Sequence, residues 1–296
     1  MAIKLGGGGG SASQIDEVVI LNNSADTVTL DDGRVYLKGG VFETNLSTYP
    51  DATTSFRYAG NSFSHASQTT GNPASMTSDS THYYLLNMSD YVYKYTKAGV
   101  YVTSYQFRTT PMNINLYDVD GIEWDGTHFW AVDYGEDRVY KFNSSWVYQN
   151  VSYDISAQST APQGIAWDGT NWWLLDNNRI VYKYNSSWVY QNFSFSVGGQ
   201  TNYVPDITTD GSYLYVLKGA NQAGLSKFTF AGVEQEELYV DDIMQNQGGV
   251  TWDGTNFQIA STTNDSVYQL QHANGVRSVS GTTEGGLGGQ NYVRVK

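Results

Sequence analysis

Five aspartates recur along this chain at nearly constant spacing: Asp79, Asp125, Asp168, Asp210 and Asp253 are separated by 46, 43, 42 and 43 residues. Three of them sit in a complete Trp-Asp-Gly-Thr, at Trp124 to Thr127, Trp167 to Thr170 and Trp252 to Thr255. Two sit in degenerate copies, Thr209-Asp210-Gly211-Ser212 and Ser78-Asp79-Ser80-Thr81. A period of this length suits one four-stranded blade of a β-propeller, a repeat that cannot bury its faces alone and stacks on its neighbours. The expected fold is therefore all-β, a five-bladed propeller.

Each unit reads in four strokes. The first is Gly-Ile-x-Trp, as in Gly121 to Trp124 and Gly164 to Trp167. The Asp-Gly pair after it predicts a two-residue hairpin, because Gly tolerates positive φ and Asp accepts bonds from nearby amides. An aromatic strand follows (Phe129 to Val132, Trp172 to Leu175, Tyr213 to Val216), then Val-Tyr-Lys-aromatic (Val92 to Tyr95, Val139 to Phe142, Val181 to Tyr184). The fourth stroke carries Val-Tyr-Gln-Asn, at Val147 to Asn150 and Val189 to Asn192. These strokes are aromatic on both sides, as expected when each blade is sandwiched between two others.

One segment has no blade of its own. Asn61-Ser62-Phe63-Ser64-His65 resembles the end of a fourth strand and precedes the first unit, so it is expected to dock on the fifth blade beside a short last strand at Gly275 to Val279. A sixth blade built on Asp32 to Leu37 is the alternative, although that stretch lacks the Val-Tyr-Lys strand. Ahead of the propeller, residues 1–13 with their five glycines read as a flexible arm or a fusion scar. Residues 14–54 hold three short apolar runs and predict a small β-rich module with too little core to stand alone. The propeller is placed at 55–280 and a tail at 281–296.

Composition narrows the function. Tyr, Trp and Phe number 24, 8 and 11 among 296 residues, ample for a core of flat side chains. A net charge of −13 and a pI near 4.5 argue against tracking nucleic-acid phosphates and against docking on anionic membranes. The absence of cysteine removes disulfides, thiolate metal sites and thiol nucleophiles. No apolar run has the length of a signal-peptide core or a membrane span, so a soluble protein made in a cytoplasm is expected.

The opening Met1 to Leu5 with its glycine run, the stretch Thr27 to Gly40 and Tyr49-Pro50-Asp51-Ala52 resemble the amino-terminal segments of tail-fibre and other minor tail proteins of marine bacteriophages. The repeats, best at Ala157 to Thr170, resemble propeller repeats found behind such segments. The resemblance implies a virion tail part, synthesised in the host cytoplasm and present in several copies. Residues 1–54 would join it to other tail proteins, and the propeller would face a host-surface glycan or receptor.

Carboxylates around a propeller funnel are where an enzyme would place its chemistry, and Asp118, Asp120, Glu123 and Asp206 are the candidates. Their plain reading is as turn caps and solvated rim charges, so no catalytic residue and no enzyme activity are expected; a glycan-cleaving propeller and a ligandless ornament are the alternatives. The repeated aspartates, Asp79, Asp125, Asp168, Asp210 and Asp253, are expected to organise turns. His65, His82, His128 and His272 lack ligand spacing, and Asn177-Asn178, Gly135-Glu136-Asp137 and Asn264-Asp265 have too few carboxylates for a calcium loop, so no metal or cofactor is expected. Carbohydrate binding draws on aromatics and amides. Trp146 and Trp188 lie near hairpin ends, where exposure would let sugars stack, though structural cover of a blade edge is the favoured reading of both. Gln68, Gln158 and Gln200 recur in loops leading to inner strands and are expected to ring one face.

Overall fold

The computed structural model describes residues 61–68, 72–109, 112, 114, 116, 118–198, 204–218, 224–235 and 247–270 in full, and the backbone of strands within 27–29, 35–38, 42–45, 56–60, 236–239, 271–272, 276–279, 284–285 and 291–293. Contacts divide the chain into two units, Phe56–His272 and Met1–Ser55 together with Ala273–Lys296. All regular elements among the described residues are strands.

The unit Phe56–His272 is a five-bladed propeller. Blade 1 comprises Pro73–Ser78, His82–Asn87, Tyr91–Thr96 and Tyr101–Gln106, and blade 2 Val119–Trp124, Phe129–Asp133, Arg138–Phe142 and Tyr148–Asp154. Blade 3 comprises Pro162–Trp167, Asn171–Asp176, Ile180–Asn185 and Tyr190–Ser196, and blade 4 Ile207–Thr209, Leu214–Lys218, Gly224–Phe228 and Glu234–Tyr239. Blade 5 takes three strands from one end of the unit, Gln247–Trp252, Phe257–Ser261 and Ser266–His272, and its outer strand, Phe56–Ser64, from the other. The first strands of the five blades neighbour one another in a closed ring.

The docking expected of residues 61–65 is thus present: Val267 faces Phe63 and Ser266 faces Ser64. The short last strand expected at 275–279 is not in blade 5. Val276–Val279 pairs with Phe42–Asn45 in the other unit, since the nine-residue strand Phe56–Ser64 already covers the blade edge. The stretch weighed as a sixth blade also belongs there: Val35–Lys38 pairs with Thr27–Thr29 and with Asn291–Val293.

Adjoining blades are held by aromatic seams, and one turn explains them. The outer hairpins of blades 1 to 4 are five-residue turns at Thr96–Val100, Asn143–Val147, Asn185–Val189 and Thr229–Val233. In each, the first residue's N–H donates to the fifth carbonyl at 2.9 to 3.0 Å, and its side-chain oxygen accepts the fifth N–H. The fourth residue is left-handed: Gly99 (φ 77°), Trp146 (59°), Trp188 (57°) and Gly232 (75°). A left-handed Trp costs about 1–2 kcal/mol. That cost is offset because each indole is driven into the seam with the preceding blade. Trp146 stacks on Phe129 of its own blade at 4.3 Å and meets Tyr84 of blade 1 at 6.1 Å, and Trp188 stacks on Trp172 of its own blade at 4.9 Å and meets Trp130 of blade 2 at 5.9 Å.

Where glycine holds the turn, a ring from the neighbour's outer strand takes the place. A Cβ on Gly232 would lie 2.6 Å from Phe195 Cγ, and one on Gly99 would strike Phe63. Phe63, Tyr105, Tyr153 and Phe195 all stand opposite the valine near the start of their blade's third strand, so the outer strands of blades 5, 1, 2 and 3 each bring one aromatic to a seam, while blade 4 has Leu238 opposite Leu225. Gly99→Ala combines backbone strain with overpacking and is expected to lose about 2–4 kcal/mol in urea denaturation. In a Phe63→Ala background the increment should fall to about 1–2 kcal/mol, the backbone share alone; full additivity would mean that the two sites do not share this space.

Candidate functional site

The repeated aspartate is a two-sided organiser. Asp125 Oδ1 accepts the N–H of Thr127 at 2.8 Å and of His128 at 2.7 Å, and Oδ2 accepts the indole N–H of Trp130 at 2.6 Å. Asp168 repeats this with Thr170, Asn171 and Trp173, and Asp253 with Thr255, Asn256 and the Gln258 amide. At Asp79 and Asp210 the donor five residues on is a hydroxyl, of Tyr84 and of Tyr215. The connection is longer than the expected two-residue turn. Four residues, 125–128, lie between the paired Trp124 and Phe129, because the carboxylate rather than a backbone carbonyl caps the amides.

The axis of the propeller is built around Asp206, 1% exposed. Its Oδ1 accepts the N–H of Ile207 at 3.0 Å and the Ser75 hydroxyl at 3.2 Å; its Oδ2 accepts the N–H of Val250 at 2.9 Å and of Met76 at 3.2 Å. Ser75 Oγ in turn accepts the N–H of Ile122 at 3.1 Å. Met76, Ile122, Ile207 and Val250 each stand three residues before the repeat aspartate of their blade. One carboxylate and one hydroxyl therefore serve the same inward N–H in four blades. Glycines at 121, 164 and 249 occupy the position equivalent to Asp206, and a Cβ on Gly164 would lie 2.8 Å from Asp206 Oδ1. The Gly of Gly-Ile-x-Trp is the space that lets the first strands close on this carboxylate.

Burial pushes Asp206 well above the ordinary carboxyl range, and the N–H donors of Val250, Ile207 and Met76 pull it back. Glu123 is also raised, by burial first and by the charge of Asp206 second, with Thr77 among its hydrogen-bond partners. Thr77 Oγ1 accepts the Trp124 N–H at 3.1 Å, so this second carboxyl is tied to the same inter-blade ladder. The expectation that Asp206 is a turn cap or solvated rim charge is corrected, since it is a buried axial ligand of the backbone; Glu123 is half-buried and feels the charge of Asp206.

A different group of carboxylates gathers at the opposite end of the blades from the Trp-Asp-Gly-Thr turns, where the second and third strands connect. Asp90, 2% exposed, accepts the Val119 N–H at 3.2 Å and a bond from the Arg108 guanidinium. Asp133, 1% exposed, caps the Glu136 N–H at 2.8 Å through Oδ1, and the backbone of Asp118 is a second hydrogen-bond partner of its carboxyl. Gly135 separates Asp133 from Asp118, since a Cβ there would meet Asp118 Oδ2 at 2.9 Å and Asp133 Oδ1 at 3.5 Å. Gln163 donates from Nε2 to Asp120 Oδ2 at 3.0 Å and leaves its buried Oε1 without a partner. Burial and then the charges of Asp118, Asp133 and Asp90 push the Asp120 carboxyl up to about 7. Asp118 and Tyr134 are exposed and open the group to solvent. No three His, Cys, Asp or Glu side chains among the described residues converge as metal ligands.

The residues expected to stack on sugars are not at the surface. Trp146 and Trp188 are 0% and 5% exposed, because their left-handed turns point them inward; the structural reading holds for both. Gln68 and Gln158 occupy equivalent turns, with N–H groups donating to His65 and Ile155 carbonyls, and Gln158 Oε1 accepts from the Tyr184 hydroxyl at 3.4 Å. Gln200 lies outside the described residues. Sequence reasoning missed Asp90 and Asp133. Their signal was positional: Asp133 and Asp176 end equivalent second strands.

No family model matches this chain, and no curated protein matches it in sequence. Among solved structures, glutaminyl cyclase from Myxococcus xanthus is similar over 77% of this chain and 99% of its own, with a TM-score of 0.59 and 8% identity. Virginiamycin B lyase from Staphylococcus aureus is similar over 87% of this chain and 86% of its own, with a TM-score of 0.42 and 14% identity. These neighbours include proteins named as enzymes, and at such identity the likeness to the cyclase shows the propeller fold alone.

Two outcomes follow from the site. Asp206→Ala leaves four donors without their acceptor and should cost at least about 3 kcal/mol in denaturant unfolding, with Asp206→Asn intermediate. Asp120 binds its proton more tightly in the folded chain, so its contribution to stability is present below pH 3.8 and lost as pH rises through about 7. Asp120→Asn is therefore expected to melt higher than the parent above neutrality and to lose that advantage in acid, as thermal scans across pH would show.

Proposed function

We propose that this chain is a non-enzymatic component of a bacteriophage tail, attached to the particle by its smaller unit and contacting the host surface with its propeller. The observation that carries the reading is the division of labour in the chain. The stretches that resemble tail-protein amino-terminal segments fall in the unit Met1–Ser55 with Ala273–Lys296, apart from a propeller that closes on itself. The occupied axis supports a binding role over a catalytic one, since Asp206 is spent on backbone amides. The host-facing surface then lies away from Trp146 and Trp188, and Tyr134 beside Asp133 is an aromatic that a ligand can reach.

A glycan-cleaving propeller is the second reading, favoured by one observation: the Asp120 carboxyl near 7 has the protonation range of a general acid. The attachment reading is tested by assembling particles with the full chain and with a chain lacking residues 1–54. The full chain should incorporate and the truncated chain should not. Fluorescent multimers of the full chain should adsorb to susceptible cells and release no reducing sugar from their envelopes. Incorporation of the truncated chain would remove the anchor assignment, absence of adsorption would leave an ornament, and sugar release abolished by Asp120→Asn would establish the enzyme.

A further inference from the structure

The residue that follows each outer strand has a fixed place in the propeller. Phe107, Ile155 and Val197 donate their N–H groups to the carbonyls of Asp90, Asp137 and Arg179 at 3.2, 3.0 and 2.9 Å, and each acceptor is the left-handed residue just before its blade's third strand. All three side chains are buried and pack in apolar clusters. His65 makes the same bond to the left-handed Asp265 at 2.8 Å, and it is 0% exposed. Blade 5 therefore carries a titratable ring where blades 1, 2 and 3 carry Phe, Ile and Val. It is also the blade whose outer strand is not joined to its third strand by a hairpin. Phe56–Ser64 is held on Ser266–His272 by pairing and packing alone, and His65 is the first residue past the paired stretch.

We propose that His65 is an acid-sensitive catch on the closing strand: neutral, it seals blade 5; protonated, it frees Phe56–Ser64 and bares the edge of Ser266–His272. An uncovered edge presents unpaired N–H and C=O groups to any strand that can reach it. Burial disfavours the charged imidazole, while the charge of Asp265 and the Ser261 backbone favour it; burial prevails and holds the ring below its ordinary 6.5. Asp265, in the turn before the third strand, is the charge that acts on the ring. Lys97, Tyr83 and Asp253 form a separate group at the Trp-Asp-Gly-Thr end of the same seam, where Lys97 Nζ lies 4.0 Å over the Tyr83 ring and the Tyr83 hydroxyl donates to Asp253 at 2.7 Å. The closed form binds the His65 proton less readily than the open one. The hold on the strand is thus complete above pH 6.5 and is lost as pH falls below it.

The test follows amide hydrogen exchange of the full chain from about pH 7 to about pH 5, with protection corrected for the intrinsic pH dependence of exchange. Protection of Phe56–Ser64 and Ser266–His272 should fall at least about fivefold, while the hairpin-linked pair Ile180–Asn185 and Tyr190–Ser196 of blade 3 stays within about twofold. His65→Ile, which gives blade 5 the residue of blade 2, should abolish the fall. If that variant fails to fold, NMR titration of the His65 imidazole in the parent decides: a midpoint below 6.5 supports the catch, and one at or above it overturns it. Equal loss of protection in blades 3 and 5, or a fall that survives His65→Ile, also overturns the proposal. So does tighter protection in acid, which would mean that protonated His65 pairs with Asp265 and holds the strand.

Discussion

A carboxylate that takes amides from three blades sets the terms for the whole propeller. The inner edge of each first strand has N–H groups with no strand beyond them, and buried amides without acceptors are costly. Asp206 answers for Met76, Ile207 and Val250, and Ser75 relays the same acceptor to Ile122. The side chains at the equivalent position elsewhere are therefore absent, and Gly121, Gly164 and Gly249 bring the strands close. Ring size and central group are linked: five first strands leave room at the axis for one small acceptor, and the chain supplies it from blade 4.

Outward from the axis the forces change from polar to apolar. Each repeat aspartate fixes a turn and aims the ring or amide five residues later. The seams beyond are filled either by a Trp from a left-handed turn or by a Phe standing over a glycine. Both solutions fill one volume from opposite sides, so Trp and Gly alternate at a position without a change of fold. Register shifts within the outer strand pairs and the positive φ of Asn150 and Asn192 explain the recurrent Gln-Asn, since Asn tolerates that backbone better than most residues.

The repeat was legible because it is local. The period of Asp79 to Asp253 carries the blade count, and the unowned stretch at 61–65 carries the closure. What was not legible depends on neighbours separated widely in sequence. Trp146 and Trp188 sit in polar Asn-Ser-Ser turns, and only a left-handed residue facing the preceding blade turns them inward. Asp90 and Asp133 look like Asn87 and Asp176, ordinary turn formers, until blades 1, 2 and 3 bring them beside Asp118, Asp120 and Gln163. Asp206 differs from a rim charge by one property no local pattern shows, which is that four blades aim amides or hydroxyls toward it directly or through Ser75.

The composite blade 5 has a mechanical meaning. Phe56 pairs with His272, so the chain enters and leaves the propeller at adjoining points on one sheet. The two units are joined by a double tether. A pull on the smaller unit loads two antiparallel strands in the same direction at once, and neither is sheared past the other. A single connection would place all the force on one outer strand and peel it from its blade. A paired tether divides such tension between two strands and leaves the ring closed.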